Sequence, residues 1–423
     1  MRIFLKEKDG IGLSSDQMIE SLERSLQGRS LKHALLIPPD FTRYHSNAGF
    51  LTNAYYHMLK NAGCEVDILP ALGTHDPLTE QQCAEMFGDI PFHKVIAHNW
   101  RTDVVRLGEV SGEYLHEITE GAWQEPIHVE INRLVMNDRY DIILSLGQVV
   151  PHEVIGMANH SKNLFVGVGG SDMINKTHMV GAVYGMERMM GRDHTPVRLI
   201  FDYCLEKYLK DRPILFVMTV TTSKGSDIHT HGLFIGDTRD ALEEAIALSQ
   251  EKNIRYMERP VHKCVVYLDP KEFKSTWLGN KAVYRTRMAI ADDGELIVLA
   301  PGVAKFGEDE QVDALIRKYG YCGTSRAMEH FHKNDDLKSN MGAAAHLIHG
   351  SSDGRFRICY AVKSISQQEI ADVEFIPADY DEMVKRYDPT VLNDGWNTLL
   401  GGEEVYYISN PALGLWIDPA RNN

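Results

Sequence analysis

The sequence lacks the features that would indicate a membrane or an oxidising compartment. Its six cysteines are scattered and form no CxxC pair, a pattern typical of reduced, mostly buried thiols in the cytosol. No apolar run reaches the roughly 18 residues that a membrane-spanning helix needs. The first residues, MRIFLKEKDGIG, have no apolar stretch of the kind found in signal peptides. We therefore predict a cytoplasmic protein with no membrane partner.

An excess of positive charge is also absent. The chain has 59 acidic and 44 basic residues and a net charge of −15, which argues against nucleic acid as the main partner. Hydrophobic residues make up 43% of the 423 positions and charged residues 24%, values typical of a soluble globular protein. This length predicts two or three domains. A locally positive pocket for a small anion remains compatible with this composition.

Short apolar runs alternate with amphipathic stretches along the first half of the chain. The segment LTNAYYHMLKNAG has the spacing of a helix that stops at Gly63, and Thr79 is placed to cap the next helix. The predicted strands are HALLI (33–37), CEVDIL (64–69), KVIAHNW (94–100) and YDIILSLGQVV (140–150). This rhythm is typical of a parallel sheet covered by helices.

A second series of strands and helices begins at residues 262–270, HKCVVYLDP. We predict two α/β domains with mainly parallel sheets, residues 1–255 and 256–403, with the active site in the cleft between them. Residues 404–423 either return to the first domain or remain with the second.

Polar residues follow the predicted strands of the first domain. Asp40 and Arg43 lie after the first of these strands, and a Gly-Thr-His segment ending at His75 follows the second. His98 and His152 end the next two. Since ligands bind beyond the carboxyl ends of parallel strands, these loops should converge on one crevice.

The segment PHEVIGMANHSKNLFVGVGGSDMINKTHM (151–179) contains His152, His160 and His178, which are candidate metal ligands. Lys162 lies among them although an ammonium group repels a metal ion. A surface lysine and backbone-bonded histidines are the simpler interpretation. However, Lys162 stands between two apolar runs and before the glycine-rich GVGGSD loop, and a partly buried lysine can serve as a nucleophile or an attachment point. An acylated lysine carries no charge and can lie beside a metal.

Two basic residues are candidates for binding a carboxylate or phosphate. The planar fork of Arg43 suits bidentate binding, although a surface arginine after a helix cap at Asp40 is an equally good interpretation. Lys305, in the GVAK segment of the second domain, can provide another contact to an anion, or it can be a solvated loop residue.

Together these segments resemble the nickel-pincer-nucleotide-dependent lactate racemase family. The resemblance rests on Asp40-Phe-Thr-Arg43, on GTHDPLTEQQ (73–82), on the GVAK segment and on the spacing His152-x9-Lys162-x15-His178. It covers roughly residues 35 to 310.

The resemblance implies a racemase or C2-epimerase of a 2-hydroxy carboxylic acid that works by reversible hydride transfer. The cofactor implied is nickel bound to pyridinium-3,5-bisthiocarboxylic acid mononucleotide, joined covalently to the chain and supplied by maturation proteins. The residue roles implied are tether Lys162, nickel ligand His178, acid–base groups His98 and His152, substrate contacts Arg43 and Lys305, and cofactor contacts Asp40 and Thr42.

The chain departs from the family pattern at several positions. Ala158-Asn159-His160-Ser161 stands where the family has small glycine-rich residues, and Gly302 where it has a glutamine-like residue. No tryptophan matches the one that lines the lactate pocket, so we expect a substrate larger or more polar than lactate. The alternatives are a dehydrogenase with a dissociable nicotinamide cofactor and a non-catalytic nickel- or ligand-binding protein of the same fold. The sequence does not indicate the oligomeric state.

Overall fold

The computed structural model describes residues 1–8, 10–224 and 227–421, and the chain divides into two compact units. The first unit comprises Met1–Val180 and Met189–Asn253, and the second comprises Gly181–Arg188 and the chain from Ile254 onward. Each unit has helices around a mainly parallel sheet, so the predicted fold class of two α/β domains is confirmed. The chain leaves the first unit just before the predicted boundary. The sequence pattern did not indicate that Gly181–Arg188 would group with the second unit.

The first unit contains a six-stranded sheet and two small antiparallel pairs. Its strands are β1 (Arg2–Lys6), β2 (His33–Ile37), β3 (Glu65–Ile68), β4 (Val104–Val110), β5 (Ile127–Asn132), β6 (Ile142–Gln148), β7 (Pro151–His152), β8 (Gly156–Met157), β9 (Ile214–Lys224) and β10 (Asp227–Gly236). The large sheet has the order β1-β10-β9-β6-β2-β3. Strands β9, β6, β2 and β3 run parallel, whereas β10 is antiparallel to both β1 and β9.

Helices flank this sheet, and several begin with the capping residues that the sequence provides. They are α1 (Ser15–Leu26), α2 (Ala48–Asn61), α3 (Glu80–Phe87), α4 (Gly112–Ile118), α5 (Ser171–Tyr184), α6 (Pro196–Tyr208) and α7 (Arg239–Asn253). As predicted, Thr79 caps α3, accepting a hydrogen bond from the backbone of Gln82 while the Gln82 side chain bonds back to Thr79. Every residue of β6 is buried, which explains its uninterrupted apolar sequence.

The predicted strand over residues 94–100 does not form. Phe92–Lys94 is a short 3₁₀ turn, and Val95 makes only an isolated bridge to Ile68 at the end of β3. The rest of the segment, including His98, is irregular backbone that crosses to the small β4–β5 sheet. The apolar residues of this short run are only partly buried or exposed, and no ladder of strand hydrogen bonds forms.

The second unit contains its own six-stranded sheet. With the strands numbered in chain order as below, the sheet order is β15-β14-β13-β12-β17-β16. These are β11 (Ile254–Tyr256), β12 (Val261–Tyr267), β13 (Ile290–Ala300), β14 (Arg357–Val362), β15 (Ile376–Asp379), β16 (Gly395–Thr398), β17 (Glu404–Ile408) and β18 (Leu415–Ile417). Its helices are α8 (Thr276–Gly279), α9 (Lys281–Thr286), α10 (Glu310–Tyr319), α11 (Thr324–Lys333), α12 (Asp335–Lys338), α13 (Met341–His349), α14 (Gln367–Asp372) and α15 (Tyr380–Arg386).

The end of the chain belongs to the second unit and does not return to the first. β17 runs parallel to β12 within the large sheet, and β18 pairs in parallel with β11. Residues 422 and 423, at the end of the segment for which a return was considered, lie outside the described residues. Among the residues that the structure describes, no helix has the length and apolar character needed to cross a bilayer.

Candidate active site in the first unit

Three loops at the carboxyl ends of neighbouring parallel strands carry predicted polar residues. β2 pairs in parallel with β3 on one side and with β6 on the other. Asp40 and Arg43 follow β2, His75 follows β3, and His152 follows β6. The carboxyl ends of parallel strands lie at one edge of a sheet, so these loops come together there. The charge of Arg43 accordingly influences the pKa of His152.

Asp40 and His75 form a carboxylate–imidazole pair. One carboxylate oxygen of Asp40 accepts a hydrogen bond from Nδ1 of His75, and the other accepts one from the Thr42 hydroxyl at 2.6 Å. Burial raises the pKa of the Asp40 carboxyl, but His75, Thr42 and Arg43 together lower it by more. The net pKa is therefore below the usual value. Asp40 is therefore a carboxylate, and Nδ1 of His75 is the donor in this pair, so that the neutral form of the ring has its lone pair on Nε2.

This pair was missed by the sequence analysis. His75 received no role there, although it ends the Gly-Thr-His segment that was part of the resemblance. Asp40 and Thr42 were instead expected to contact the cofactor. Asp40 accepts hydrogen bonds from Thr42 and from His75, so the carboxylate already has partners within the protein. An anionic carboxylate also repels a phosphate, which disfavours contact with that part of the cofactor.

Lys162 lies immediately after a strained turn. Asn159 and His160 both have positive φ, 75° and 59°, which is uncommon for residues other than glycine. Arg198, fully buried on α6, holds this turn by donating to the Met157 carbonyl at 2.6 Å and to the Ser161 hydroxyl at 2.9 Å. Backbone strain that is held in this way clusters at functional sites. The turn is therefore an independent indication that the position of Lys162 matters.

The ammonium group of Lys162 is destabilised by its surroundings. Burial and the charge of Arg43 lower its pKa from 10.5 to about 8, although Glu153 and Asp40 act in the opposite direction. A substantial fraction of the amine is neutral at mildly alkaline pH, and a neutral amine is the form that attacks an acyl group. The side chain is thus suited to covalent attachment.

His178 lies on α5 with one ring nitrogen anchored and the other available. Its Nδ1 donates to the Ile174 carbonyl at 2.6 Å, one turn earlier in the helix, which leaves the lone pair on Nε2. Burial lowers the pKa of His178 so that the ring is neutral, and Lys162 and His75 lower it further. A neutral imidazole that donates its other N–H to a backbone carbonyl is the usual form of a metal ligand.

His152 uses its Nδ1 as an acceptor, whereas His178 uses its Nδ1 as a donor. Nδ1 of His152 accepts a hydrogen bond from the Val154 backbone at 3.1 Å, so the proton of the neutral ring is on Nε2. Burial lowers the pKa of His152 well below its usual value, and Lys162 and Arg43 also lower it. His152 therefore presents an N–H donor, whereas His75 presents a lone pair.

The comparisons with known proteins give one family match and similar solved structures. Residues 16–190 match the family model described as the lactate racemase N-terminal domain. This match covers less than half of the 423 residues and makes the first unit similar to the lactate racemase N-terminal domain. A crystal structure of a Thermotoga maritima protein has a TM-score of 0.81 at 22% identity, covering 97% of this chain and 99% of that one. The lactate racemase apoprotein of Thermoanaerobacterium thermosaccharolyticum has a TM-score of 0.70 at 16% identity, covering 96% and 90%. At these identities the two structures show the fold alone. No curated protein sequence matches the chain.

His98 makes two hydrogen bonds within the first unit. Its Nε2 donates to the Gly169 carbonyl at 3.0 Å, and its Nδ1 accepts from the Asn132 amide at 3.0 Å. Burial lowers the pKa of His98, and the Gly169 carbonyl and Asp103 partly offset this. Both ring nitrogens are engaged in these contacts, and the acid–base role of His98 stays a prediction. The contact with Gly169 ties His98 to the loop that precedes α5, the helix that carries His178.

Close packing within the protein explains the glycines of the GVGGSD loop. A Cβ at Gly167 would lie 2.5 Å from Cβ of Ala71, and one at Gly170 would lie 2.2 Å from the Glu130 carboxylate. The Gly167 carbonyl also accepts a hydrogen bond from Gly73 at 2.8 Å. This contact joins the π-helical turn after Lys162 (Asn163–Gly167) to the loop that carries His75.

Lys305 belongs to the second unit. Its side chain is exposed and its ammonium donates to the Glu308 carbonyl, while its backbone pairs with Ser275 beside Trp277. Gly302, three residues earlier, approaches Pro270 so closely that a Cβ would lie 2.5 Å from its Cα. A side chain is therefore excluded where the family has a glutamine-like residue. The role of Lys305 toward a substrate stays a prediction.

Proposed function

We propose that this protein is a racemase or C2-epimerase of a 2-hydroxy carboxylic acid, an isomerase that uses a nickel-pincer nucleotide tethered to Lys162. The family and the fold support racemase-type chemistry in general terms. The observation that carries the specific proposal is one cluster in the first unit. The charges of Arg43 and Asp40 act on Lys162, whose pKa is about 8. Lys162 in turn lowers the pKa of His178, whose neutral imidazole could bind a metal ion.

The residues present fit such a cofactor. Lys162 has the low pKa that acylation of its amine requires, and Nε2 of His178 offers a lone pair in a fixed direction. Nitrogen and sulfur donors suit Ni(II): His178 would provide the nitrogen and the cofactor itself would provide the sulfur. The chemistry that the group supplies when bound is reversible acceptance of a hydride.

The chain's own residues would bind the substrate and move its hydroxyl proton. Arg43 would pair with the substrate carboxylate, for which a guanidinium fork is well suited. Nε2 of His75 would take the hydroxyl proton, because the Asp40 carboxylate on Nδ1 stabilises the imidazolium that forms. The N–H of His152 would donate a hydrogen bond to the resulting carbonyl oxygen.

This assignment gives His75 the role first predicted for His98. For the opposite enantiomer, His152 would become the base, which requires its Nδ1 to release the Val154 backbone. The two directions of the reaction would therefore depend differently on the two histidines. The substrate would be a 2-hydroxy acid larger or more polar than lactate.

The deciding experiment uses protein produced together with the cofactor maturation proteins. Intact-mass measurement should find a covalent nucleotide adduct on the wild type and none on Lys162→Ala, with racemisation assayed on lactate, malate, aryl-lactates and sugar acids. An adduct that persists in Lys162→Ala contradicts the tether. A dissociable nicotinamide nucleotide with no covalent adduct indicates a dehydrogenase, and loaded protein inert toward the whole panel indicates a non-catalytic binding protein.

A matched pair of variants tests the histidine assignment. His75→Gln should retain the adduct and lose about 10²–10⁴-fold in rate. His98→Gln should retain more activity, with any loss accompanied by weaker nickel retention, because His98 acts through the loop before α5. Equal activity of His75→Gln and wild type would contradict the assignment.

A further inference from the structure

A second cluster of side chains that could hold a metal ion lies in the first unit, where the end of β1 meets the beginning of β10. Glu7 directly follows β1, and its backbone N–H donates to the His231 carbonyl at 2.8 Å. His229 and His231 stand two residues apart on β10, so their side chains share one face of the strand. Their ring centroids lie 4.4 Å apart. None of these residues takes part in the candidate active site.

The two imidazoles and the carboxylate point at one another. Oε2 of Glu7 lies 2.9 Å from Nε2 of His229, and Oε1 lies 2.7 Å from Nδ1 of His231. One donor atom from each of the three residues lies within 4.8 Å of the others. Two donors on a tetrahedral zinc ion are separated by roughly 3.4 Å, given bond lengths of about 2.0–2.2 Å. Small movements of the side chains would therefore suffice to enclose an ion.

Neighbouring groups orient the cluster. Nε2 of His231 lies 2.8 Å from the Thr222 hydroxyl, which holds the ring with Nδ1 toward Glu7. A ligating histidine whose other nitrogen is bonded in this way is typical of metal sites. Gly12 donates its backbone N–H to Oε2 of Glu7 at 2.9 Å, and a Cβ at Gly12 would lie 3.1 Å from the ring of His229. Glu7 is nearly buried, with 6% of its side chain exposed.

One cation already faces the carboxylate. Nζ of Lys252, on α7, lies 3.1 Å from Oε1 of Glu7 and 3.0 Å from Oε1 of Glu251. The lysine therefore has a second, exposed carboxylate to which it can turn when another cation binds Glu7. Burial raises the pKa of Glu7, but the two histidines and Lys252 lower it to about 2, so the carboxylate is ionised throughout the physiological range.

We propose that Glu7, His229 and His231 form a binding site for Zn²⁺, separate from the nickel cofactor site. Two imidazole nitrogens and one carboxylate oxygen are a common zinc donor set, with water completing the tetrahedron. Imidazole donors disfavour Mg²⁺ and Ca²⁺, which prefer oxygen ligands. Binding would cross-link the first strand of the chain to β10 and so stabilise the folded state.

The other cluster of this type in the described residues makes a useful comparison. Asp193, His194 and Glu243 also bring donor atoms together, but His194 and Glu243 are exposed. Arg239 already pairs with Asp193. A permanent guanidinium charge in that position opposes a metal ion, so we expect no zinc there.

The test is a zinc titration of the full-length chain, untagged and without cofactor, followed by calorimetry and thermal unfolding. The wild type should bind one Zn²⁺ per chain at this site and unfold at a higher temperature when it is bound. His229→Ala and His231→Ala should each weaken binding at least ~100-fold, and Thr222→Val about 10-fold. Lys252→Met should strengthen it about 10-fold, because a competing positive charge is removed.

The controls distinguish this site from others on the chain. His178→Ala and His194→Ala should bind zinc as the wild type does, and Co²⁺ bound in place of zinc should show a spectrum without thiolate bands. Zinc binding that survives replacement of both His229 and His231, or that disappears in His178→Ala alone, would overturn the proposal. If the double variant fails to fold by circular dichroism, Glu7→Gln gives the same decision, because unaltered affinity in it would refute the site.

Discussion

Replacing Lys162 with methionine should make the cofactor-free protein more stable near neutral pH. Methionine fills a similar volume without a charge. The surroundings lower the pKa of the Lys162 ammonium from 10.5 to about 8. At about 1.4 kcal/mol for each tenfold change in proton affinity, this amounts to ~3 kcal/mol of destabilisation by the protonated side chain. Lys162 is only partly buried, so solvent screening reduces the expected gain to about 2 kcal/mol.

The pH dependence of this gain follows from the direction of the pKa change. Between pH 8 and 10.5 the unfolded lysine binds a proton that the folded lysine has lost, so wild-type stability rises with pH across that range. Below about pH 8 both states are protonated and the full cost is present. The advantage of Lys162→Met should therefore be largest at pH 7 and shrink toward pH 10, as measured by urea unfolding at both values.

Lys32→Met serves as the control, because Lys32 is an exposed lysine of the same unit. Its unfolding free energy should match that of the wild type at both pH values. If Lys162→Met is less stable than the wild type at pH 7, or if their difference is the same at pH 7 and pH 10, the ammonium is not destabilised and the reasoning fails. The same reasoning predicts that neutralising the amine through a covalent bond would stabilise the protein.

Three further predictions concern groups that support the site. Arg198→Met should lower the free energy of unfolding by about 3 kcal/mol, because buried carbonyls of the turn before the tether lose their donors; urea unfolding measures this. Gly302→Ala should cost ~1–3 kcal/mol in the same assay, because its Cβ would press against Pro270. Asp40→Asn should reduce kcat of the loaded enzyme by ~10²–10⁴-fold with little change in KM, because His75 loses its carboxylate. An unchanged value in any of these measurements would contradict the corresponding contact.

Local pattern predicted the framework of the first unit well. The apolar runs that became β2 and β6 were recognisable because a strand buried on both faces has few polar interruptions. In β3 the alternation of polar and apolar residues was the signal. Loops after such strands were expected at one edge, which correctly grouped Asp40, Arg43 and His152.

Local pattern failed where tertiary contacts decide the outcome. His75 and His98 both follow apolar runs, and the sequence did not indicate that His75 would pair with Asp40 or that His98 would bond the Gly169 carbonyl. Arg198 had no local signal, because the turn that it holds lies about 40 residues earlier in the chain. The C-terminal strand β17 could have joined either sheet by sequence, and its pairing with β12 is a non-local choice.

The left-handed pair Asn159-His160 bears on how the turn before Lys162 is held. Glycine reaches positive φ without steric cost, whereas asparagine and histidine only tolerate it better than most other side chains do. Here Asn159 and His160 adopt positive φ with a buried guanidinium as an external brace. The same turn could thus be kept either by glycines or by a braced pair of larger residues. A relative with glycines at this turn would have no need of the arginine, so the two solutions should seldom occur in the same chain.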